Sequence, residues 1–247
     1  MSEIGALCER LDWDSTFFGV SIARAVPTRV DTTTCREILD WCHTEKIDCL
    51  YFLADDAPGV RQVLEDAAFL RVDERVTIEL QPIPPAPAPP ADTRPARESD
   101  IATLREIAGG AHYDSRFYND GHFDRERCDE LYRVWIERSC RGWADHVVVV
   151  ERAGQAIGYL TVHLRQPESA MIGLVGVDSA CRRQGIGQRL VAGALAWLSD
   201  QSVTRVWSAT QGRNAASQGF FQKAGFRPTG RAIWYHRWFF PSIGGPS

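Results

Sequence analysis

Residues 173–190 read GLVGVDSACRRQGIGQRL and contain the change from an apolar segment to the start of a helix. The apolar segment 171–177 predicts a strand, and the pattern of residues 185–198 predicts a helix. Backbone amides at the start of a helix point outward and favour negative charge. Gly185 and Gly187 leave room for a diphosphate to approach the backbone closely. The stretch therefore predicts a strand–turn–helix unit that binds an anionic ligand.

The charges and other glycines of this stretch point the same way but leave an alternative open. Arg182, Arg183 and Arg189 add positive charge to the turn. Gly173 and Gly176 inside a strand predict a bulge or a close approach by a ligand. The stretch has neither the Gly-Lys-Ser/Thr of a Walker loop nor a full G-x-G-x-x-G pattern. A glycine-bearing helix start with solvated arginines remains the alternative.

The composition is that of a globular protein, with 44% hydrophobic and 24% charged residues among 247. No apolar run approaches the ~20 residues that span a bilayer. The first residues, MSEI, show no basic region followed by an apolar stretch, as a secretory signal would. We therefore expect a soluble, cytoplasmic protein with no membrane partner.

Charge is distributed unevenly along the chain. Residues 1–90 have a net charge of -8 and residues 91–247 of +4, which together give -4. This asymmetry favours an anionic ligand in the second part, although two differently charged solvated surfaces would produce it too. The pI of about 5.9 argues against nucleic acid as a partner. The seven cysteines are odd in number and contain no C-x-x-C pair, so we expect no metal site and no disulfide framework.

A proline-rich stretch divides the sequence. Residues 82–90 contain six prolines, which remove amide donors and favour an extended spacer. A proline-rich ligand for a small recognition domain is the alternative. The pattern predicts a small N-terminal α/β domain at 1–81, a linker at 82–91 and a second domain at 92–247.

Hydrophobic periodicity on both sides of the linker alternates between that of helices and that of strands. Helices are predicted at 33–45, 58–68, 99–108, 124–140, 185–198 and 214–224, and strands at 48–53, 72–80, 147–151, 156–164, 171–177, 203–210 and 233–239. This order predicts the α/β class (α+β layered), with helices packed on a sheet.

Two motifs resemble those of a known family. Residues 182–187 (RRQGIG) match the R/Q-x-x-G-x-G/A signature of the GNAT superfamily of acyl-CoA-dependent N-acetyltransferases. Residues 214–226 (NAASQGFFQKAGF) resemble the N-x-x-A-x-x-x-[YF]-x-x-x-G-F stretch of that family, and residues 94–101 resemble its first strand and helix. The resemblance covers about residues 92–247 and implies a GNAT fold with a mixed central sheet flanked by helices. The N-terminal domain is then a degenerate GNAT-like unit.

The resemblance implies acetyl-CoA as cosubstrate. Backbone groups around Val175 and Val177 are then expected to hold the pantetheine arm, and Asn214 to reach the cofactor from its helix. The pyrophosphate is expected at the amides of Arg182, Arg183, Gln184, Gly185, Ile186, Gly187 and Gln188.

A narrower resemblance concerns the acceptor. Residues 13–19 (WDSTFFG) and 114–123 (DSRFYNDGHF) resemble segments of nucleotide-sugar enzymes of the TDP-fucosamine acetyltransferase type. This implies the amine of a small acceptor, a TDP-linked amino-deoxysugar, as the group that is acetylated. The expected substrate-binding residues offer polar and aromatic groups for a sugar or a base: Phe17, Arg116, Tyr118, Asn119 and His122. An ordinary loop packed by its aromatic residues is the alternative.

The proton donor of the reaction is not fixed by the resemblance. Many relatives have a tyrosine where this chain has Phe221, which has no proton to donate. Tyr235 and His163 are therefore the candidate catalytic residues, with Tyr118 or a water molecule as alternatives, although both candidates are also consistent with purely structural roles. Protein, peptide or antibiotic-amine acetylation and a non-catalytic acyl-CoA-binding module remain alternative functions, and an exposed N-terminal sheet edge would support a homodimer.

Overall fold

The computed structural model describes residues 7–83, 88–165 and 168–239. The α-helices in these ranges are α1 (Asp12–Phe18), α2 (Thr32–Thr44), α3 (Pro58–Asp66), α4 (Ile101–Gly109), α5 (Arg116–Asp120), α6 (Arg125–Arg138), α7 (Ile186–Ser199) and α8 (Ala215–Lys223). The strands are β1 (Cys8–Arg10), β2 (Ile22–Ala25), β3 (Cys49–Asp55), β4 (Leu70–Leu80), β5 (Thr93–Pro95), β6 (His146–Arg152), β7 (Gln155–Arg165), β8 (Ser169–Val177), β9 (Arg205–Gln211) and β10 (Arg227–Trp238). Short non-α helical turns lie at Glu98–Asp100, Ser139–Trp143 and Ser179–Cys181.

The chain forms two compact units, and neither is one continuous stretch. Unit 1 consists of Met1–Arg75, Ser115–Asp124 and Arg231–Ser247, and unit 2 of Val76–Asp114 and Arg125–Gly230. These units differ from the linear division at 82–91, because two segments beyond the proline-rich stretch group with the N-terminal residues. Domains at 1–81 and 92–247 stay a prediction, and residues 84–87 and 240–247 lie outside the described residues.

Unit 1 contains a sheet with the strand order β1-β2-β3-β10. β2 and β3 are parallel, whereas β10 runs antiparallel to β3. In α2 the buried residues are Cys35, Ile38 and Cys42, whose spacing of three and four residues places them on one face of the helix. α3 has Pro58 in its first turn, where a missing amide costs no hydrogen bond. The side chains of both helices contribute to one apolar core with β3.

Unit 2 contains a mixed sheet with the order β4-β9-β8-β7-β6-β5. β8 pairs in parallel with β9 and antiparallel with β7. α7 packs on β6, β7 and β8, α4 packs on β7 and β8, and α6 packs on α4. The α/β prediction with helices flanking a mixed sheet is confirmed.

The structure also contains elements that the sequence analysis missed. Residues 116–120, expected in a loop, form α5, which ends at Gly121 with a φ of 80°. The segment 13–19 lies largely in α1, which ends at Gly19 with a φ of 74°. β1 and β2 were not predicted. Short elements of this kind carry too few residues for periodicity to reveal them.

Among the described residues, no helix combines the length and the apolar character needed to cross a membrane.

Candidate functional site

The two parallel strands of unit 2 are paired over only part of their length. β8 pairs with β9 from Ser169 to Ile172, opposite Arg205 to Ser208. Beyond this point the two strands line a cleft of about 810 Å³, with Gly173, Leu174, Val175 and Val177 from β8 and residues 208–211 from β9. Backbone groups of unpaired strand segments are available to hydrogen-bond an extended ligand.

A bulge in β8 forms part of the cleft wall. Leu160 lies opposite Val175 and Val162 opposite Ile172, so that Thr161 alone faces two residues of β8. The amide of Leu174 donates a hydrogen bond to Thr161 Oγ1 at 2.8 Å. The bulge expected from the glycines of this strand is therefore confirmed.

The close approach to these glycines comes from the chain itself. A Cβ atom at Gly173 would lie 2.8 Å from Thr161 Oγ1 and 3.0 Å from His163 Nε2. A Cβ atom at Gly176 would lie 2.5 Å from the ring of Tyr159. The two glycines thus make room for side chains of the neighbouring strand β7, whereas the sequence analysis predicted a bulge or a close approach by a ligand.

The turn before α7 forms the cationic end of the cleft. Gly185 precedes the helix with a φ of 75°, a left-handed conformation that favours glycine. The amides of Ile186 and Gly187 begin α7, where no preceding turn of the helix supplies an acceptor, whereas the Gln188 amide donates to the Gly185 carbonyl at 3.1 Å. This turn lines the cleft together with Arg182, Arg183 and Lys223. Arg182 Nη2 donates to the carbonyl of Gly110 at 3.0 Å. Amides and cations together suit a diphosphate.

The cleft contains most of the expected cofactor residues. Those that line it are Val175, Val177, Arg182, Arg183, Gly185, Ile186, Gly187, Gln188 and Asn214. Gln184 does not line it and accepts a hydrogen bond from Arg152 Nη2 at 2.9 Å. Arg189, expected to add charge to the turn, is paired with Asp92 instead.

Asn214 has a local structural role at the cleft. Its Oδ1 caps α8 by accepting a hydrogen bond from the amide of Ser217 at 2.9 Å. This leaves the side-chain NH₂ group as the donor with which Asn214 would reach a ligand.

An aromatic cluster that the sequence analysis missed lies in another part of the cleft wall. His112 and Tyr132 line the cleft and their rings stack with centroids 4.3 Å apart. His112 Nε2 lies 3.1 Å from the hydroxyl of Tyr159. Burial, together with the charge of Arg182, lowers the pKa of His112 to about 4. Tyr159 lies opposite Gly176 in the β7–β8 pair, and this glycine was the only signal in the sequence for the cluster.

The structure separates the candidate catalytic residues. Tyr235 is 1% exposed in the apolar core of unit 1, and its hydroxyl has no hydrogen-bond partner among the described residues. Burial raises the pKa of Tyr235. His163 is buried beside Gly173 and packs edge-to-face on Trp143, although it does not itself line the cleft. Phe221 lines the cleft and packs on Phe220 and Phe226.

The expected acceptor residues belong to unit 1. Phe17 stacks on Trp13 with centroids 5.2 Å apart and contacts Phe18. His122 stacks on Trp238, and its Nδ1 lies 2.6 Å from Asp120. Arg116, Tyr118 and Asn119 are half-buried residues of α5. None of the five lines the cleft of unit 2.

Three potential metal ligands also meet in unit 1. Cys49, Asp120 and His236 bring their donor atoms within 4.8 Å of one another, and all three are buried. His236 Nδ1 is hydrogen-bonded to Asp120, and burial raises the pKa of the Cys49 thiol. Asp120 and His236 thus bind each other, and the neutral thiol that burial of Cys49 favours is a poor metal ligand.

Comparison with known proteins gives one family and several relatives. Residues 104–226 match the model of the acetyltransferase (GNAT) family. The dTDP-fucosamine acetyltransferase of Escherichia coli is 27% identical over 95% of this chain and 99% of its own length. The spore coat polysaccharide biosynthesis protein SpsD of Bacillus subtilis is 24% identical over 58% of this chain and half of its own length.

Solved structures agree in fold. A GCN5-related N-acetyltransferase from Sphaerobacter thermophilus superposes with a TM-score of 0.65 at 16% identity, over 96% of this chain and 77% of that one. Another from Kribbella flavida gives a TM-score of 0.60 at 16% identity, over 91% and 82% of the two chains. The RRQGIG motif at residues 182–187, the partly paired strands β8 and β9 and the family match agree. The chain contains an acetyltransferase domain of the GNAT family, and its reaction is acetyl transfer.

Proposed function

We propose that this chain transfers the acetyl group of acetyl-CoA to the amine of a nucleotide-linked amino-deoxysugar, with a TDP-linked sugar as the first candidate. The observation that carries the proposal is the extent of one similarity. The relative named dTDP-fucosamine acetyltransferase matches over 95% of this chain, whereas the family model covers residues 104–226. The match therefore includes the N-terminal residues of unit 1, in addition to the family domain.

The cleft of unit 2 is the proposed site of acetyl-CoA, which supplies the activated acyl group. Its unpaired strand edges at Val175 and Val177 suit the amides of the pantetheine arm, and the cationic turn suits the diphosphate. Amides from Arg182 to Gln188 would face that diphosphate, with the NH₂ group of Asn214 as a further donor. The Gln188 amide is the weakest member of this set, because it already donates to the Gly185 carbonyl at 3.1 Å. The side chain of Gln184 is engaged with Arg152.

Acetyl transfer needs a neutral amine, a donor for the charge that develops on oxygen or sulfur, and an acceptor for one proton. The C–N bond forms while the C–S bond breaks, one proton leaves the amine nitrogen, and the thiol takes up one proton. No covalent bond to the enzyme is required, so none of the seven cysteines needs to act as a nucleophile.

His112 is the cleft residue that best meets the need for a donor. We assign the Tyr159 hydroxyl as the donor to Nε2, because it has no hydrogen-bond partner other than His112 within the described residues. The imidazole, neutral because its pKa is lowered to about 4, then carries its proton on Nδ1. Such an N–H group stabilises negative charge that develops in a cleft. His163 remains the second candidate, whereas the core position of Tyr235 gives that residue no support.

On the acceptor side we propose Phe17, Arg116, Tyr118, Asn119 and His122, which combine aromatic surface with hydrogen-bonding groups. No metal is part of the proposed reaction. Location in the cytoplasm and formation of a homodimer stay predictions.

The experiment that tests the proposal measures thiol release from acetyl-CoA with a panel of amines. TDP-linked amino-deoxysugars, the corresponding free amino sugars and peptide amines would each be supplied at matched concentrations. We expect turnover with one or more TDP-linked sugars and far less with the free sugars. Turnover with peptides alone would refute the sugar acceptor, and binding of CoA without turnover of any amine would favour a non-catalytic module.

A further inference from the structure

The Arg116 guanidinium is held above aromatic rings without a counter-charge in contact. Its Cζ lies 4.1 Å from the ring centroid of Tyr51 and 4.3 Å from that of Trp234. The residue is half-buried, and it makes no ion pair with any carboxylate in the described part of the chain. A partly desolvated cation without an ionic partner is costly, which favours binding of an anion at this place.

A neutral histidine fixes the position of this guanidinium. Arg116 Nη1 lies 3.0 Å from His236 Nε2, and His236 Nδ1 is hydrogen-bonded to Asp120. Since arginine can only donate, Nε2 is the acceptor and the ring proton is on Nδ1, from which it is donated to Asp120. Burial, with the nearby charge of Arg116, lowers the pKa of His236 to about 4 and keeps the ring neutral.

Asp120 anchors this arrangement. Its side chain is fully buried, and Trp238 Nε1 donates to its two oxygens at 3.0 and 3.1 Å. His122 Nδ1 lies 2.6 Å from Oδ1. Although burial favours the neutral acid, hydrogen bonds from His236, Trp238 and His122 lower the pKa of Asp120. Asp120 therefore orients Arg116 through His236 without touching it.

Two buried hydroxyl groups, on a ring that contacts the Arg116 guanidinium and on the residue that precedes Arg116, have no hydrogen-bond partner within residues 7–83, 88–165 and 168–239. They are the hydroxyl of Tyr51, whose ring lies beneath the guanidinium, and Oγ of Ser115, the preceding residue. Their residues are 0% and 4% exposed. Buried hydroxyls are nearly always hydrogen-bonded, so the orphan hydroxyl of the ring beneath this unpaired cation indicates that a ligand completes the site, and the orphan hydroxyl of Ser115 precedes the cation by one residue.

We propose that Arg116, Ser115 and Tyr51 form an anion site for the diphosphate of the acceptor, with Asp120 and His236 as positioning residues. This inference rests on the proposed nucleotide-sugar acceptor and identifies the group of that acceptor which unit 1 binds. A guanidinium offers a planar pair of donors that matches phosphate oxygens, and the two hydroxyls add further donors. Asp14 interacts electrostatically with Arg116, although no ion pair joins the two among the described residues; burial raises the pKa of Asp14.

Calorimetric titration of the full chain with TDP tests the proposal. We expect saturable binding that persists in the presence of saturating CoA, and much weaker binding of thymidine. Arg116→Gln should weaken TDP binding by about 10- to 100-fold, the range for a lost hydrogen bond to a charged group. Arg116→Lys should fall in between, because lysine keeps the charge but not the planar pair of donors.

A matched variant at the other site separates the two diphosphates. Gly185→Glu should weaken CoA binding and leave TDP binding intact, whereas Arg116→Gln should weaken TDP binding and leave CoA binding intact. The Asp120→Asn variant should raise the KM for the acceptor while kcat and the KM for acetyl-CoA stay unchanged. A merely structural role of Asp120 would lower all activity in parallel with thermal stability.

The orphan hydroxyls provide a test that does not depend on the arginine. Ser115→Ala and Tyr51→Phe should leave stability unchanged or higher, since each removes a buried unsatisfied group, yet each should weaken TDP binding several-fold. Unchanged TDP affinity in these two variants and in Arg116→Gln would overturn the site, while the acceptor assignment would stand if TDP-linked sugars are still acetylated.

TDP binding that CoA abolishes would overturn the proposal, because TDP would then occupy the cleft of unit 2. Absence of TDP binding to the unmodified chain would overturn it as well. Turnover of free amino sugars or peptides in that case would place the failure in the proposed function.

Discussion

His112 Nε2 lies 3.1 Å from the hydroxyl of Tyr159, and with this hydroxyl assigned as the donor the ring proton of His112 lies on Nδ1. Tyr159 occupies the space that a side chain at position 176 would need, so its position depends on Gly176. Its hydroxyl contacts a histidine in the wall of the cleft. A glycine, a tyrosine and a histidine from three separate segments thus act together, although only the glycine stands out in the sequence.

Replacing His112 by Gln should lower kcat by about 10²-fold, the usual effect of losing one donor to developing charge. The KM for acetyl-CoA should change little, because the diphosphate turn is untouched. Asn places an NH₂ group near the position of Nδ1, so His112→Asn should retain more activity than His112→Gln. Steady-state kinetics with thermal unfolding as a control would measure this. A rise in the KM for acetyl-CoA as large as the decrease in kcat would instead assign His112 to cofactor binding.

The pH profile distinguishes a neutral donor from a titrating base. The pKa of His112 is lowered to about 4, so the ring stays neutral from pH 5 upward. We therefore expect that any decrease in kcat between pH 8 and 5 is the same in the unmodified chain and in His112→Gln. A decrease centred near pH 6.5 that this variant removes would contradict the assigned role.

The contact of Gly176 with Tyr159 predicts a clear effect on stability. In Gly176→Ala the new Cβ would meet the Tyr159 ring at 2.5 Å, so the strand or the ring must move. Overpacking of this kind costs about 1–3 kcal/mol of the free energy of unfolding. Gly219→Ala in α8 is the matched control, because nothing lies within 4 Å of its Cβ and alanine favours helix. Urea denaturation of the two variants should show changes of opposite sign.

Sequence analysis predicted the long elements and the cofactor turn because both depend on local patterns. The strand–turn–helix unit at 173–190 and the buried face of α2 follow from spacing alone. The composition of unit 1 could not be predicted, because segments 115–124 and 231–247 join it through contacts distant in sequence. Tyr235 became a catalytic candidate for the same reason, because an alternating strand pattern does not tell whether its tyrosine faces a core or a site. His236, one residue further on, lies in the network with Arg116.

Phe221 offers a gain-of-function test of the missing proton donor. The residue lines the cleft but is 2% exposed, with Phe220 and Phe226 packed on its ring. Phe221→Tyr supplies a hydroxyl at the position where many GNAT relatives have one. In the His112→Gln background it should restore part of the lost kcat, while the unmodified chain should gain little from it. Absence of rescue in a stably folded double variant would show that the two positions do not serve the same step.

Gly185 connects the turn geometry with cofactor affinity. Gly185→Glu adds both a side chain at a φ of 75° and a negative charge beside the first amides of α7. We expect the affinity for CoA, measured by calorimetry, to fall more than 10-fold, because the charge opposes the diphosphate. Gly185→Ala, which adds backbone strain of about 1 kcal/mol without charge, is the control. Equal losses in the two variants would attribute the effect to strain.

Two buried neutral histidines predict that the fold weakens in mild acid. The pKa values of His112 and His236 are about 4 in the folded chain, against 6.5 for a free histidine. Below pH 6.5 the unfolded chain therefore takes up protons that the folded chain does not, and the free energy of unfolding decreases as the pH falls towards 4. Asp120 acts in the same direction, because its lowered pKa contributes to the free energy of unfolding, and this contribution is lost at still lower pH. Urea unfolding at pH 7, 6 and 5 should show this slope, and His112→Gln should reduce it, because glutamine takes up no proton in either state. A slope that is unchanged in this variant would mean that His112 takes up its proton at the same pH in the folded and the unfolded chain, and the neutral ring assigned to the folded chain would then be wrong.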